Sequence, residues 1–475
     1  MIKKLIIVGG GTAGLIAAMI LKTRLPLLEI EIIKSDQIGI IGVGEGTTEH
    51  FKEFMNICGI NETELIQKTD ATFKYGVMFH DWTPHDYLQF PDINHDWRLG
   101  AYQAYYAYHI GHKISFERMM EKNLWNKRLT MGHYCNQYHF NTFKLNEFLL
   151  ERAAGIGIKI TEDKIESVSL KEGIDVLHGE KRKYKADFYI DATGFKRLLI
   201  SKLGAQWKSF NLPMNEAIAF QTPDTENYNT WTLAKAMTAG WLWRIPTYGR
   251  WGNGYVYDNR YMNKEKAQKE VEKYLGYSIT INKHIKFDAG ALDQVWIKNC
   301  VAMGLSATFA EPLEASSIGT TIQQAFLLCY YLINSQDSDR SRYNENCRAI
   351  FKNTRDFIAI HYLIKRKEKF WRELKIEFSD DFKIKLKRWK KKLPMDLDFD
   401  QSYLLFRSIN FLLVLWGINY FNKQTIKNEF KYHGKEIEQR VKEKIKKNTQ
   451  YNFSPALSHK SVIEYIRNIN AVYKK

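Results

Sequence analysis

Three glycines near the start of the chain have the spacing of a turn that binds a nucleotide pyrophosphate. Gly9, Gly11 and Gly14 form a G-x-G-x-x-G pattern directly after the branched apolar run Leu5 to Val8. The first glycine permits a tight turn, the second lets the backbone approach the phosphates, and the third allows close packing of helix on strand. The alternative is a glycine-rich connection that binds nothing. The strand–turn–helix context favours dinucleotide binding.

The elements around this turn must position the nucleotide. Thr12 and Ala13 stand at the predicted helix start, where unpaired N–H groups and the positive end of the helix dipole favour phosphate. The alternating residues 29–33 predict the second strand of the unit. An acidic residue usually ends that strand and binds the adenosine ribose. Lys34 occupies this position instead, and Asp36 is the candidate replacement.

Two later strands are predicted to return to the same unit, one ending in Asp191-Ala192-Thr193-Gly194 and one running through Cys300 to Leu305. Asp191 and Gly304 are therefore predicted cofactor contacts. Small residues after the second strand allow backbone to lie flat against a ring system, although an ordinary loop has the same composition. That segment contains Gly42, Val43, Gly44 and Glu45.

The glycine-rich turn and these strands predict an α/β fold. The expected architecture is a doubly wound FAD-binding domain, Rossmann-like and of the glutathione-reductase/hydroxylase type, followed by a mainly helical C-terminal substrate domain. No second G-x-G-x-x-G follows a strand, so a separate nicotinamide domain is not predicted. The predicted boundaries are 1–75 for the first part of the FAD domain, 76–140 for an insertion on the substrate side, 141–350 for the rest of the FAD domain, and 351–475 for the helical domain.

Composition limits the possible partners. The chain has 475 residues and a formal charge of +17, which raises a nucleic-acid hypothesis. Acidic residues are interspersed among the late lysine runs, so a solvated helical surface is favoured and no nucleic-acid partner is predicted. Five distant cysteines without a C-x-x-C pair suggest no metal or disulfide site and favour a reduced, cytoplasmic location. The apolar run 411–416 is too short to span a bilayer, so no membrane association is predicted.

A Trp-Leu-Trp-Arg-Ile-Pro segment gives the chain a specific resemblance. With Trp241, Trp243, Ile245 and Pro246, it resembles the W-x-W-x-I-P signature of the flavin-dependent tryptophan halogenases. Other segments match the same family in the same order, up to about residue 371. They are the F-K pair at Phe73-Lys74, the strap beginning at Gly42, the P-L-E segment at Pro312 to Glu314, Tyr138 to Phe140, Gly252 to Tyr257, and Arg355 to Phe357 with His361 and Tyr362.

The resemblance implies a halogenase in which reduced FAD, O2 and a halide (chloride, bromide or iodide) give hypohalous acid, with the protein orienting and shielding the cofactor. Lys74 would receive the halogen, by hydrogen bonding or as a haloamine. Glu314 would stabilise the cationic ring intermediate or accept its proton, and N–H groups around Ser316 and Ser317 would hold halide. The wall containing Trp241 would disfavour ordinary monooxygenation. A separate flavin reductase would supply reduced FAD.

Some features depart from the family, and two alternatives stay open. Asn141 replaces the family's acid after Tyr-His-Phe, and the tail beyond Trp371 gives no secure substrate pattern. The expected substrate is therefore an electron-rich aromatic, indole-like or phenolic, and free tryptophan is not specifically predicted. One alternative is a single-component FAD-dependent aromatic hydroxylase. The other is a basic, non-catalytic protein that binds flavin or nucleic acid.

Overall fold

The structure, a computed structural model, describes residues 2–40, 42, 46–89, 137–401, 403–422 and 458–472, with isolated residues and runs of two or three between 424 and 443. Its contacts divide the chain into two compact units. The first comprises 1–71, 139–212 and 288–355, and the second comprises 72–138, 213–287 and 356–475. The predicted boundaries at 75, 140 and 350 lie within five residues of unit boundaries. The predicted piece 141–350 differs, because residues 213–287 belong to the second unit.

The described strands follow one another along the chain with short connections in many places. They are β1 (Lys4–Val8), β2 (Glu29–Lys34), β3 (Thr72–Lys74), β4 (Val77–His80), β5 (Tyr87–Gln89), β6 (Gln137–His139), β7 (Lys159–Glu162), β8 (Ile165–Leu170), β9 (Ile174–Gly179), β10 (Lys183–Tyr184), β11 (Phe188–Asp191), β12 (Trp207–Ser209), β13 (Glu216–Pro223), β14 (Thr232–Met237), β15 (Gly240–Thr247), β16 (Arg250–Tyr257), β17 (Ile281–Lys286), β18 (Gly290–Leu292), β19 (Trp296–Ile297), β20 (Cys300–Ala302) and β21 (Thr308–Phe309).

The helices become more frequent toward the C-terminus. The α-helices that lie wholly within the described residues are α1 (Thr12–Arg24), α2 (His50–Ile57), α3 (Glu62–Thr69), α4 (Thr142–Gly155), α5 (Lys264–Leu275), α6 (Ser316–Tyr331), α7 (Asp337–His361), α8 (Lys369–Glu373), α9 (Asp380–Trp389), α10 (Ser408–Gly417) and α11 (His459–Val472). Within the described ranges, every helix lacks the length or the apolar character needed to cross a bilayer.

The first unit is built on a six-stranded sheet in the order β19-β20-β11-β1-β2-β7. All neighbours in it are parallel except β19, which is antiparallel to β20. Leu5, Ile6 and Ile7 of β1 have no exposed surface, as expected for a parallel strand covered on both faces. Helix α1 is buried continuously from Gly14 to Leu21. The sheet and its helices confirm the predicted α/β fold.

The second unit is built on a seven-stranded sheet in the order β17-β13-β16-β15-β14-β4-β5. Its neighbours are antiparallel except β14 and β4, which run parallel. Strand β15 carries the W-x-W-x-I-P segment and is hydrogen-bonded on both sides, to β14 and to β16. This pairing is why the segment belongs to the second unit. After residue 356, the regular elements of the described part are helices.

A buried carboxylate ties three strands of this sheet together. Glu216 on β13 lies opposite Tyr257 of β16 and Lys286 of β17. Its Oε2 is 3.0 Å from the Tyr257 hydroxyl and 2.9 Å from His284 Nε2, and its Oε1 accepts a 3.0 Å hydrogen bond from Asn259. Burial raises the pKa of Glu216, but these hydrogen bonds outweigh it and lower the pKa to about 2.

We expect Glu216→Gln to destabilise the protein at pH 7 by about 1–3 kcal/mol, because the variant loses a hydrogen-bonded buried charge. The folded-state pKa lies below the ordinary value of 4.5, so the carboxylate's stabilisation is present above pH 4.5 and is lost as pH falls toward 2. The difference in free energy of unfolding between wild type and variant should therefore become smaller as the pH is lowered. Thermal unfolding from pH 7 to pH 3 measures it, with the exposed Glu166→Gln as control. A pH-independent difference would contradict the assignment.

Candidate active site

Three parallel strands of the first unit end at the same level and form one edge. Val8 of β1 is in register with Asp191 of β11, which is in register with Ala302 of β20. Strands β1 and β20 run into turns that contain predicted cofactor residues, and β11 ends at one, Asp191. Ligands of open α/β sheets bind at the carboxyl ends of parallel strands, where the order along the sheet reverses. This edge is therefore the candidate nucleotide site of the first unit.

The first turn is shaped by close approaches of backbone to backbone. Gly9 has φ +120°, and a Cβ there would lie 2.2 Å from the carbonyl oxygen of Ala192. A Cβ on Gly14 would lie 2.1 Å from the carbonyl oxygen of Gly9. A Cβ on Gly11, by contrast, would meet no heavy atom of the described chain within 4 Å. The backbone of the turn therefore packs tightly on the protein at Gly9 and Gly14 and has free space beside Gly11.

The start of helix α1 fits a phosphate group. Its first residues are Thr12, Ala13 and Gly14, so the first turn carries no acid, and no side chain of the described residues caps it. The N–H groups at this end remain available for an anion, and the helix dipole favours negative charge there. Together with the open position at Gly11, these features suit the pyrophosphate of FAD.

Asn146 on helix α4 holds the same turn and was not predicted from the sequence. Its side-chain amide donates a 2.9 Å hydrogen bond to the carbonyl oxygen of Gly10. The two residues are 136 positions apart. An asparagine inside a helix has no local pattern that announces such a contact, so only the structure could assign it a role.

The buried carboxylate of Asp191 organises the other two turns. It has no exposed surface, and its five donors come from residues 193–200 and from Ser306. Oδ1 accepts from Thr193 N–H (3.0 Å), Thr193 Oγ1 (2.7 Å) and Ser306 Oγ (3.2 Å), and Oδ2 accepts from the N–H groups of Leu199 (2.8 Å) and Ile200 (2.9 Å). In this arrangement Asp191 acts on the turns that follow the strands.

Gly304 brings the third turn against the first. It has φ +61°, and a Cβ there would lie 2.5 Å from the Cβ of Ala13. Any larger residue would push the turn away from the start of α1 and would also adopt a left-handed conformation that side chains disfavour. Ala13 and Gly304, both predicted cofactor residues, are therefore neighbours in the first unit.

The end of β2 carries an ion-pair cluster rather than a single acid. The ammonium group of Lys34 pairs with Asp36 and, at 2.9 Å, with Glu162. Burial lowers the pKa of Lys34, but these two pairs outweigh it and raise the pKa. The hydrogen bond from Lys34 lowers the pKa of Asp36. Asp36, the candidate ribose ligand, is thus engaged with Lys34.

The strap after β2 is described only in part. Gly42 has φ +57°, and a Cβ there would lie 2.7 Å from the ring of Phe143. The predicted contacts Val43, Gly44 and Glu45 lie outside the described residues, as do positions 90–136 of the predicted insertion.

The first unit also holds the predicted acid. Glu314 is buried, with 3% of its surface exposed, and ends a short 3₁₀ turn that begins at Pro312. Ala315 follows with φ +50°, a left-handed conformation that costs a non-glycine residue about 1–2 kcal/mol. Helix α6 starts immediately afterwards at Ser316. Strain of this kind is typical of functional sites. Glu311 precedes the turn and is also buried.

The predicted halide residues form the first turn of α6. Ser316 is buried and Ser317 half-buried, and this turn carries no acidic residue. The carbonyl oxygen of Ser317 accepts hydrogen bonds from the hydroxyls of Thr320 (3.0 Å) and Thr321 (2.8 Å). These bonds occupy one carbonyl group of the helix, while the N–H groups at its start point toward its N-terminal end.

Lys74 lies in the second unit, at the end of β3. Its side chain is 2% exposed, which is unusual for a lysine. The backbone on both sides of it is fixed by neighbouring segments. The hydroxyl of Thr72 donates a 2.6 Å hydrogen bond to the carbonyl oxygen of Pro246, and Tyr75 N–H donates one of 2.6 Å to Thr230. Lys74 is thereby tied to the end of the W-x-W-x-I-P strand.

The two tryptophans of β15 form one buried surface within the second unit. Trp241 and Trp243 lie on the same face of the strand, their ring centroids 6.1 Å apart. Trp243 lies opposite Gly254 of β16, and a Cβ on Gly254 would be 2.0 Å from its ring. Gly254 therefore makes room for the indole. Ile245 continues this face, and both Ile245 and Pro246 are buried.

Comparison with known proteins gives a consistent result. A family model described as "Tryptophan halogenase" matches residues 4–429. The chain is 29% identical over 441 residues to the 7-chloro-L-tryptophan 6-halogenase KtzR of Kutzneria sp. (strain 744), covering 82% of this chain and 85% of that one. It is 28% identical over 432 residues to the tryptophan 7-halogenase RebH of Lentzea aerocolonigenes, covering 81% of each.

Solved structures agree with these sequence relatives. The tryptophan halogenase from Shewanella frigidimarina NCIMB 400 superposes with a TM-score of 0.88 at 26% identity, covering 98% of both chains. Xcc4156, a flavin-dependent halogenase from Xanthomonas campestris, gives 0.81 at 27% identity, again covering 98% of both. The likenesses favour the predicted halogenase over the hydroxylase alternative. Since the family model spans most of its length, the chain belongs to the tryptophan halogenase family.

Proposed function

We propose that the protein uses reduced FAD, O2 and a halide ion to halogenate an electron-rich aromatic compound, indole-like or phenolic, with Lys74 and Glu314 as its catalytic residues. The observation that carries the proposal is the burial of Lys74 on a strand bonded to the W-x-W-x-I-P segment. A lysine is buried at a cost in desolvation, and a catalytic amine is a common reason for it.

The first unit would hold the cofactor. The turn from Gly9 to Gly14 and the start of α1 would bind the pyrophosphate, and the turns after Asp191 and Ala302 would border the ring system. Reduced FAD would supply the electrons with which O2 oxidises halide to hypohalous acid. N–H groups at the start of α6, around Ser316 and Ser317, would bind the halide ion.

Lys74 would receive the hypohalous acid. Its ammonium group would donate a hydrogen bond to the acid, or its neutral amine would bond to the halogen as the O–halogen bond breaks, giving a haloamine and, with the amine proton, one water molecule. In both cases the electrophile is held at one position and does not diffuse to other oxidisable side chains. The indole pair of Trp241 and Trp243 would form a wall that keeps the aromatic substrate from the flavin and so disfavours hydroxylation.

Glu314 would act on the ring. When the ring carbon bonds to the halogen, the ring becomes cationic and then loses the proton at that carbon. A buried carboxylate stabilises such a cation and can accept its proton. Glu311 would have a structural role, since it precedes the turn that places Glu314.

The substrate is proposed from family and chain together. Relatives named tryptophan halogenases make an aromatic substrate the coarse expectation. In this chain Asn141 takes the place of the family's acid, and it caps helix α4 by accepting hydrogen bonds from Phe143 and Lys144. An indole-like or phenolic compound other than free tryptophan is therefore proposed.

We expect Lys74→Ala to lower halogenated product at least ~10²-fold, since a positioned catalytic group is lost. FAD affinity and oxidation of reduced flavin should stay near wild type, and a soluble halogen trap should detect hypohalous acid instead. Lys74→Met, which keeps the volume of the aliphatic stem, should lose product formation to the same extent. Lys68→Ala removes an exposed ion pair with Glu151 and should keep product formation near wild type. Near-normal product from folded Lys74 variants would rule out its role.

We expect Glu314→Gln to lower turnover by ~10²-fold or more, because the amide keeps the size of the side chain but removes its charge and basicity. Glu311→Gln is the matched control and should lose far less. Product formation is measured by mass spectrometry at saturating substrate. Equal losses at the two positions, or a smaller loss at Glu314, would reverse the assignment.

We expect the purified protein not to oxidise NADH or NADPH at a useful rate alone, because the sequence has one glycine-rich nucleotide turn and no second one. An unrelated flavin reductase, or chemically reduced FAD, should start halogenation when O2 and halide are present. Without halide, hydrogen peroxide should form with little hydroxylated aromatic. Rapid NADPH-driven hydroxylation without a reductase would overturn the proposal.

A further inference from the structure

A histidine from the C-terminal helix is inserted beside the strand that carries Lys74. His459 begins α11, is 4% exposed, and lies 386 positions after Phe73. Its Nε2 accepts a 3.0 Å hydrogen bond from Phe73 N–H, and its Nδ1 is 3.2 Å from the carbonyl oxygen of Asn229. All three residues belong to the second unit.

These two hydrogen bonds determine which ring nitrogen of His459 carries the proton. A backbone N–H can only donate and a carbonyl can only accept, so the proton is on Nδ1 and the lone pair on Nε2. Burial lowers the pKa of His459 to about 4, so the ring is neutral at pH 7 and Nε2 remains an acceptor. The ring also stacks on Phe73 (centroids 5.9 Å apart) and meets Tyr228 edge-on (6.0 Å).

The bond is made at the amide next to Lys74. Thr72 and Tyr75 are held by Pro246 and Thr230, and His459 holds Phe73 between them. The loop residue Asn229, which accepts from His459, precedes Thr230. His459 therefore joins strand β3 to the loop that also binds Tyr75, and both of its hydrogen bonds are made to backbone atoms.

The same helix is docked by a second, separate contact. Lys460 donates to Asp224 at 2.9 Å and to the carbonyl oxygen of Thr225 at 3.2 Å. This pair attaches α11 to the segment before Tyr228 without involving β3. Lys460 thus docks the helix and His459 binds Phe73, and the two neighbouring side chains can be substituted one at a time.

We infer that His459 is a positioning residue for halogenation: by accepting the N–H of Phe73 it fixes the backbone of β3, and with it the place from which Lys74 acts. The inference rests on the proposed function of Lys74. His459 lies outside the part of the chain that the family model matches, which ends at residue 429.

Two substitutions separate the hydrogen bonds of the imidazole. In His459→Asn the amide nitrogen corresponds to Nδ1, so the bond to Asn229 can be kept while that to Phe73 is lost. In His459→Gln the longer side chain places its amide near the position of Nε2, and its oxygen can accept from Phe73. Lys460→Ala is the matched control, because it weakens docking of α11 and leaves both bonds of His459.

The first measurement is independent of halogenation. Hydrogen–deuterium exchange followed by mass spectrometry, with overlapping peptides across residues 70–78, reports the Phe73 amide. We expect exchange about tenfold faster in His459→Asn, close to wild type in His459→Gln, and unchanged in Lys460→Ala. Equal protection in wild type and His459→Asn would overturn the inference. So would equal acceleration in His459→Asn and Lys460→Ala, which would reduce the role of His459 to docking.

The second measurement is halogenated product per reduced FAD consumed. It should fall about tenfold in His459→Asn, with FAD affinity and flavin oxidation unchanged, and recover in His459→Gln. If His459→Asn gave as much halogenated product per reduced FAD as wild type, despite faster exchange at Phe73, the inference would be overturned and the proposed function would stand. If the wild-type protein gives no halogenated aromatic at all, the proposed function fails, and the positioning role for halogenation falls with it.

Discussion

The nucleotide edge of the first unit depends on a single buried carboxylate. Asp191 has no contact with water, and an isolated charge there would cost several kcal/mol. It is tolerated because five donors from the two following turns converge on it. Removing it would leave the N–H groups of Leu199 and Ile200 buried without an acceptor. The position of Gly304 against Ala13 follows from the same anchor, since Ser306 of that turn is one of its donors.

In the second unit, hydrogen bonds from distant residues hold the short strand β3 in place. A strand as short as Thr72–Lys74 has few ladder hydrogen bonds of its own, so its position must be imposed by neighbours. Hydrogen bonds to residues far along the chain supply this. The Thr72 hydroxyl donates to the carbonyl oxygen of Pro246, 174 positions away, and Phe73 N–H donates to the imidazole of His459, 386 positions away. The second bond is made by a backbone N–H of β3, so it specifies the path of the chain without fixing which side chain stands at position 74.

Sequence patterns predicted the local features and missed the distant ones. The glycine spacing predicted the first turn because a Cβ on residue 14 would lie only 2.1 Å from the carbonyl oxygen of Gly9, and glycine has no Cβ. The spacing of Trp241 and Trp243, two residues apart on a strand, likewise places both indoles on one face. Asn146 and His459 could not be found in this way, because their hydrogen-bond partners lie more than a hundred positions away in the sequence. Asp191 was predicted to contact the cofactor, whereas its oxygens serve the turns; its own role toward FAD stays a prediction.

Asn141 shows where fold and chemistry can be separated at one position. The start of α4 requires a short side chain that accepts from N–H groups, and aspartate and asparagine serve almost equally well as such caps. The helix therefore does not explain why this chain has the neutral amide where the family has the acid. What the exchange changes is one negative charge, and with it any attraction for a positive group on a ligand. An acid at this cap would also have faced the positive end of the α4 dipole, so the neutral amide keeps the cap and gives up this electrostatic contribution.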